Sequence, residues 1–311
     1  MKNYLVTHYF KDYKFQELIS KANFNESNQV FHYASIDTLL KILEKKKLRF
    51  SNRLYLNDYS EGRYVLDLCT KEIGAIWPNG SKYDKGKFLD EINILSEHLN
   101  NKQFHIYQAS FSLNSDSLTM LNYYARENGA NIKFSLQELI KSFGNQFVTS
   151  SQWPVGFLYA PVIYDKEQQV DILKELLKDF ENCSSINDEW YMFTSWAILY
   201  IGTFFKHEGF QDEQEYRMAY NLFFDPHNQE KCLTLRSNKR EEPYYVEFWQ
   251  KENMLVPYID VDFEISDVEG IVLSPRVKMD DFTYGLNILL RQNEYDVKKV
   301  EISKSEIPVR F

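Results

Sequence analysis

From Glu215 to Leu222 the chain places an apolar side chain on every second position: Tyr216, Met218, Tyr220 and Leu222. Side chains alternate across a strand, so such a run buries one face and leaves the other to be explained. On that other face two acids and a base are expected together: Glu213, Glu215 and Arg217, just after the acidic turn at Gln211-Asp212. Two readings fit them. One is a solvated strand whose charges neutralise each other. The other is a cleft in which a carboxylate stabilises developing positive charge and its neighbour orients or deprotonates an attacking group.

Composition narrows the setting. The chain has 311 residues, 44% of them apolar and 16% aromatic, enough for a large core or a ring-lined pocket. Its net charge of −9 (36 basic against 45 acidic residues) excludes a global basic field for nucleic acid. Cys69, Cys183 and Cys232 have no pairing or zinc-like spacing, which points to a reducing compartment. The histidines show no metal-ligand spacing, so no metal is expected. The opening Met1-Lys2-Asn3-Tyr4 lacks the apolar core of a signal peptide. The longest apolar stretch, Trp190 to Phe205, falls short of the roughly 20 residues a membrane span needs. A cytoplasmic protein with a buried helix there, and no membrane partner, is the expectation.

Periodicity predicts strands and helices in mixed order. Strands are expected at 30–34, 48–51, 103–112, 131–134, 155–164 and 215–224, with four more at 243–249, 254–261, 269–274 and 297–303. Helices are expected at 10–22, 36–47, 61–75, 87–100, 117–126, 135–143, 167–181, 190–205 and 280–291. Without a clean βαβ alternation the class is α+β. The expected division is a helical lead-in, 1–29, and one α+β domain, 30–311, with a helical insertion at about 61–100. No Gly-rich phosphate loop and no nucleophile elbow are present.

Three upstream constellations are candidates beside the carboxylates. In Phe31-His32-Tyr33-Ala34-Ser35, His32 reads as a ligand for a ribose hydroxyl or an amide, or as an edge histidine bonded to backbone. In Ala109-Ser110-Phe111-Ser112, the Ser110 and Ser112 hydroxyls share a face. They either orient a carboxylate or end a strand and cap a helix. In Met120 to Arg126, Tyr124 reads as a stacking platform or as core.

These segments, with Arg49-Phe50-Ser51, Leu56-Asn57-Asp58, Glu61, Asn131-Ile132-Lys133-Phe134, Phe205-Lys206-His207 and Glu213-Gln214-Glu215-Tyr216-Arg217, resemble a bacterial family known as domain of unknown function 2971 over roughly residues 30–305. Leu121 departs from the tryptophan expected there. The chain is also similar, more distantly, to mono-ADP-ribosyltransferases, which combine Ser-x-Ser and Glu-x-Glu strands, or His, Tyr and Glu. This chain has His32 where one class carries Arg. That resemblance implies a split, largely antiparallel sheet with flanking helices, and NAD as substrate. It implies cofactor-binding roles for His32, Tyr33, Ser110, Ser112, Tyr124 and Arg217. His32 would hold a ribose hydroxyl or the carboxamide, and Tyr124 would stack on nicotinamide. Glu215 would bond the ribose 2′-hydroxyl and Glu213 would position the acceptor. ADP-ribose would pass to a macromolecule (protein or nucleic acid) or to water, in a toxin or phage-defence effector. The alternative is a non-enzymatic binding or sensor module for nucleic acid or a partner protein.

Overall fold

The computed structural model describes residues 14–20, 28–56, 62–100, 105–126, 128–144, 147–149, 155–182, 190–222, 234–237 and 243–308. Asn57, Asp58 and Glu61 lie outside them. The helices are α1 (Lys14–Ser20), α2 (Ile36–Lys45), α3 (Tyr64–Lys71), α4 (Ile73–Ile76), α5 (Lys85–Asn100), α6 (Leu118–Tyr123), α7 (Leu136–Gly144), α8 (Lys166–Asn182), α9 (Trp190–Ile201) and α10 (Met279–Gln292). The strands are β1 (Gln29–Ala34), β2 (Lys47–Asn52), β3 (His105–Ser112), β4 (Ala130–Ser135), β5 (Phe147–Thr149), β6 (Val155–Pro161), β7 (Glu215–Leu222), β8 (Thr234–Ser237), β9 (Pro243–Tyr245), β10 (Glu247–Lys251), β11 (Met254–Asp262), β12 (Val268–Leu273) and β13 (Glu301–Lys304).

Ten of these strands form one sheet, ordered β10-β11-β2-β3-β1-β4-β12-β13, with β7 on β3 and β6 on β7. All its named pairs are antiparallel except β12 with β13. The expected α+β class with a largely antiparallel sheet and flanking helices is what the chain adopts. The sheet forks at β3. Strand β7 pairs with β3 from His105 to Ser112, so β2 (at Tyr107 and Gln108) and β1 (at Ser112) must share the other edge. The connection between the two arms is α2. Its start is fixed by Ser35, whose hydroxyl accepts the Thr38 N–H, and its end by Lys46 in the left-handed region.

The two faces of the sheet carry separate cores. On one, Tyr107, Ala109, Phe111, Tyr216, Met218 and Tyr220 pack with Leu39, Leu43, Leu139, Phe143 and Leu290 from α2, α7 and α10. On the other, Ile106, Leu158, Ala160 and Ala219 meet a helical layer containing α1, α3, α5, α8 and α9. Helix α9 is apolar nearly all round because it is buried nearly all round, from Trp190 to Ile201. No helix among the described residues is long and apolar enough to cross a membrane. A third, small cluster joins Phe31 and Tyr33 of β1 to Met120, Leu121 and Ala125 around α6. Gly129 closes this corner. A Cβ there would stand 2.2 Å from the Ala34 carbonyl oxygen and 2.3 Å from that of Ala125. Backbone cannot give way as a side chain can, so Gly129→Ala is expected to lower stability by about 3 kcal/mol. A urea-unfolding midpoint unchanged from wild type would contradict this.

Candidate functional site

The helical-layer face of β3 and β7 carries a charge network in place of apolar residues. In the antiparallel register Ser110 stands opposite Arg217, and Ser112 opposite Glu215. The Glu215 carboxylate is 4% exposed. It accepts from Arg217 through Nε at 2.7 Å and Nη2 at 2.9 Å, and from Lys206 Nζ at 3.2 Å. The Ser110 hydroxyl also bonds it. Burial alone would push this carboxyl up, but Arg217, Lys206 and the hydrogen bonds from Arg217 and Ser110 outweigh burial and hold it at about 2. Burial likewise works against the Lys206 ammonium, and Glu215 and Glu213 overcome it, so its pKa is raised.

Arg217 also has a task away from Glu215. Its Nη1 donates to the Thr203 carbonyl at 2.6 Å, while Arg53 Nη1 donates to the Thr203 hydroxyl at 2.6 Å and to the Leu199 carbonyl at 3.3 Å. Two buried guanidiniums thus meet the carbonyl end of α9, where the helix dipole favours cations.

Glu213 sits differently from the expectation that it shares a strand face with Glu215. A 3-10 turn runs from Glu208 to Glu213, and Gln214 then adopts φ 43° and ψ 50° before β7 begins. That residue breaks the alternation, so Glu213 reaches the network from a turn above the strand end. Its carboxylate is 13% exposed and takes Lys206 Nζ at 2.6 Å on one oxygen and the Tyr124 hydroxyl at 3.1 Å on the other. The Ser112 hydroxyl fixes the turn by donating to the Glu213 carbonyl at 2.8 Å. Phe210, on the same turn, lies 4.6 Å from the Lys206 ammonium by ring centroid. Tyr124 and Phe210 are both exposed, as are Leu118 and Tyr123 nearby in sequence on α6.

Lys206 joins the two carboxylates. Its backbone is pinned from both sides: its N–H donates to the Ile163 carbonyl, and its own carbonyl accepts from Gln169 Nε2 at 3.0 Å. Gln169 is in turn held by the Tyr64 hydroxyl. Lys206 enters the sequence reading only within the Phe205-Lys206-His207 segment of the family resemblance, with no role attached, and Phe210 is not marked by local pattern. A further signal is a lysine directly after sixteen residues of mostly apolar chain, which burial obliges to find a carboxylate.

Two predicted binders lie elsewhere. Strand register sets His32 opposite Phe111 and Ile132, residues of the other core, so it does not share the Glu215 face. The ring packs edge-on to Phe111, centroids 5.6 Å apart. At the fork between β1 and β2, His32 Nδ1 is 3.1 Å from the Ser110 carbonyl oxygen, and a proton on Nδ1 makes that a hydrogen bond. Of the two readings open to His32, the contact with the Ser110 carbonyl matches the edge histidine bonded to backbone, placed in the fork rather than on the Glu215 face. Tyr33 is on the right face, but its hydroxyl is committed to the loop before α6. It donates to the Asn114 carbonyl at 2.9 Å and accepts the Ser117 N–H at 3.0 Å, and burial pushes its pKa up to about 12.

Burial lowers the His32 pKa below 6.5, only partly opposed by the Ser110 bond. The unfolded chain then holds more protons than the folded one below that pH, so this residue's stability contribution is full above 6.5 and falls on acidification. His32→Gln is expected to show a smaller drop in urea midpoint between pH 7 and pH 5 than wild type. An equal drop would contradict the assignment.

Compared with known proteins, the chain matches no curated protein and no solved structure. A family model does match residues 120–218, the stretch that holds Tyr124, Lys206, Glu213, Glu215 and Arg217. Over those residues the chain is similar to the family described as a protein of unknown function (DUF2971).

Proposed function

We propose that the surface formed by Tyr124, Phe210, Lys206 and Glu213 binds NAD and that the chain breaks its bond to nicotinamide. The observation that carries this reading is the Glu213 carboxylate, reachable from solvent, held on one oxygen by a buried ammonium and on the other by an exposed tyrosine. Two exposed rings beside it suit a flat heteroaromatic base. The adjacency of a Ser-x-Ser strand and a Glu-x-Glu segment supports the same reading.

Roles follow from access. Glu215 cannot take a ligand hydroxyl without releasing Arg217, Lys206 or Ser110, so its part is to fix Lys206. Glu213 faces the ribose. As the C1′–N bond breaks, nicotinamide leaves with the bonding pair as a neutral base, and positive charge spreads over C1′ and the ring oxygen. Glu213 opposes that charge. Water, or a nucleophile on a macromolecule, then bonds to C1′ and gives its proton to Glu213.

The exposure of Tyr123 (78%) and Leu118 (42%) favours a second reading, a partner-binding surface without chemistry. Calorimetric titration with NAD separates the two. Wild type is expected to bind, with affinity reduced at least tenfold in Glu213→Gln and Tyr124→Ala, in line with loss of a charge-assisted contact or a stacking ring. Absence of NAD binding by the wild-type chain would remove the first reading.

A further inference from the structure

Away from the charge network, a cleft of about 680 Å³ opens between α4 and α8. It falls within the size range of small-molecule sites. The helix α4 side keeps it open through Gly74 and Ala75. A Cβ added at Gly74 would meet nothing within 4 Å. One wall is Trp77, half-buried and fixed from behind by Phe88 (ring centroids 5.3 Å apart) and Trp190 (6.0 Å). The opposite wall presents Lys174 and Lys178, one helical turn apart on α8 and both exposed.

Like charges at that spacing repel and weaken a helix. Neither lysine has an ion-pair partner among the described residues. The cleft's carboxylate, Glu181, turns to the backbone N–H of Lys82, which it accepts at 3.0 Å. The site therefore offers two uncompensated ammonium groups facing a rigid indole, a combination that suits a ligand with a flat aromatic base and phosphate.

We propose that this cleft binds a phosphate-bearing nucleotide, its phosphates on Lys174 and Lys178 and its base on Trp77. The site shares no lining residue with the Glu213 surface and does not depend on that surface being an NAD site.

Equilibrium dialysis of the full chain against labelled ADP tests it, in a Glu213→Gln background so that the other surface is not read. Saturable binding is expected, weakened at least tenfold by Lys174→Ala with Lys178→Ala and also by Gly74→Met, whose side chain would occupy the cleft. Thermal melts of each variant confirm folding. Absent saturable ADP binding, or binding unmoved by both variants, would overturn the proposal. Pyrophosphate binding as tightly as ADP would overturn the base contact with Trp77.

Discussion

Arg217→Met is expected to lower the melting temperature by roughly 10 °C. Removing one partner of a buried pair costs about 3–5 kcal/mol, and each kcal/mol moves the melting temperature by about 2–4 °C in a domain of this size class. The loss has two sources. Glu215, 4% exposed, would keep only Lys206 and Ser110 against its charge. The Thr203 carbonyl at the end of α9 would lose its 2.6 Å donor. Lysine is not expected to rescue position 217, because a single ammonium cannot supply the two-pronged contact to Glu215 and reach Thr203 as well. The double variant Arg217→Met with Glu215→Met is expected to recover part of the loss, since replacing both members of a buried pair removes the orphaned charge. A shift below about 2 °C for the single variant would mean that the network does not hold β7 to α9.

The second large effect is acid unfolding. Glu215 is held at about 2 in the fold against 4.5 for the free group. The folded state therefore binds fewer protons than the unfolded state between those values, and stability falls as pH falls through that window. The contribution is fully present above pH 4.5 and amounts to about 3 kcal/mol, taken from 1.36 kcal/mol per pKa unit. Urea midpoints measured from pH 5 down to pH 2 should therefore drop steeply in wild type. Glu215→Gln starts less stable, because Arg217 and Lys206 lose their anion, but its curve should be flatter over the same window. Parallel curves would show that other carboxylates carry the acid transition.

Much of the fold was legible because the signals were periodic. The alternation from Tyr216 to Leu222 is strand β7, the Ser35 cap starts α2, and the apolar stretch from Trp190 is a buried helix. The elements without a signal were short: β5 and β8 span three and four residues, too few for a period to register. The expected strand at 243–249 is divided between β9, in a separate small sheet, and β10 at the edge of the large one. Alternation could not locate Glu213, because a single left-handed residue, Gln214, resets the side-chain direction. Nor could it locate Lys206, whose role comes from the return of the chain beside Ile163, just past the end of β6. Sequence alone leaves both readings of His32 open for a related reason: an imidazole that fills a fork in a sheet looks, in sequence, like one that waits for a ligand. Alternation placed Ser110 and Ser112 on one face but not their separate tasks: Ser110 hydrogen-bonds Glu215, while Ser112 holds the Glu213 turn through its carbonyl.

In the proposed function Glu213 faces the ligand and Glu215 anchors the site. Nicotinamide release from NAD, measured for wild type and Glu213→Gln with cell lysate as a source of acceptors, tests it most directly. Wild type is expected to release nicotinamide, with at least a hundredfold loss in Glu213→Gln, the size expected for removing an acid–base or charge-stabilising group. The melting temperature of that variant should stay within a few degrees of wild type, because Glu215 still holds Lys206. No release by wild type, or equal release by Glu213→Gln, would contradict it.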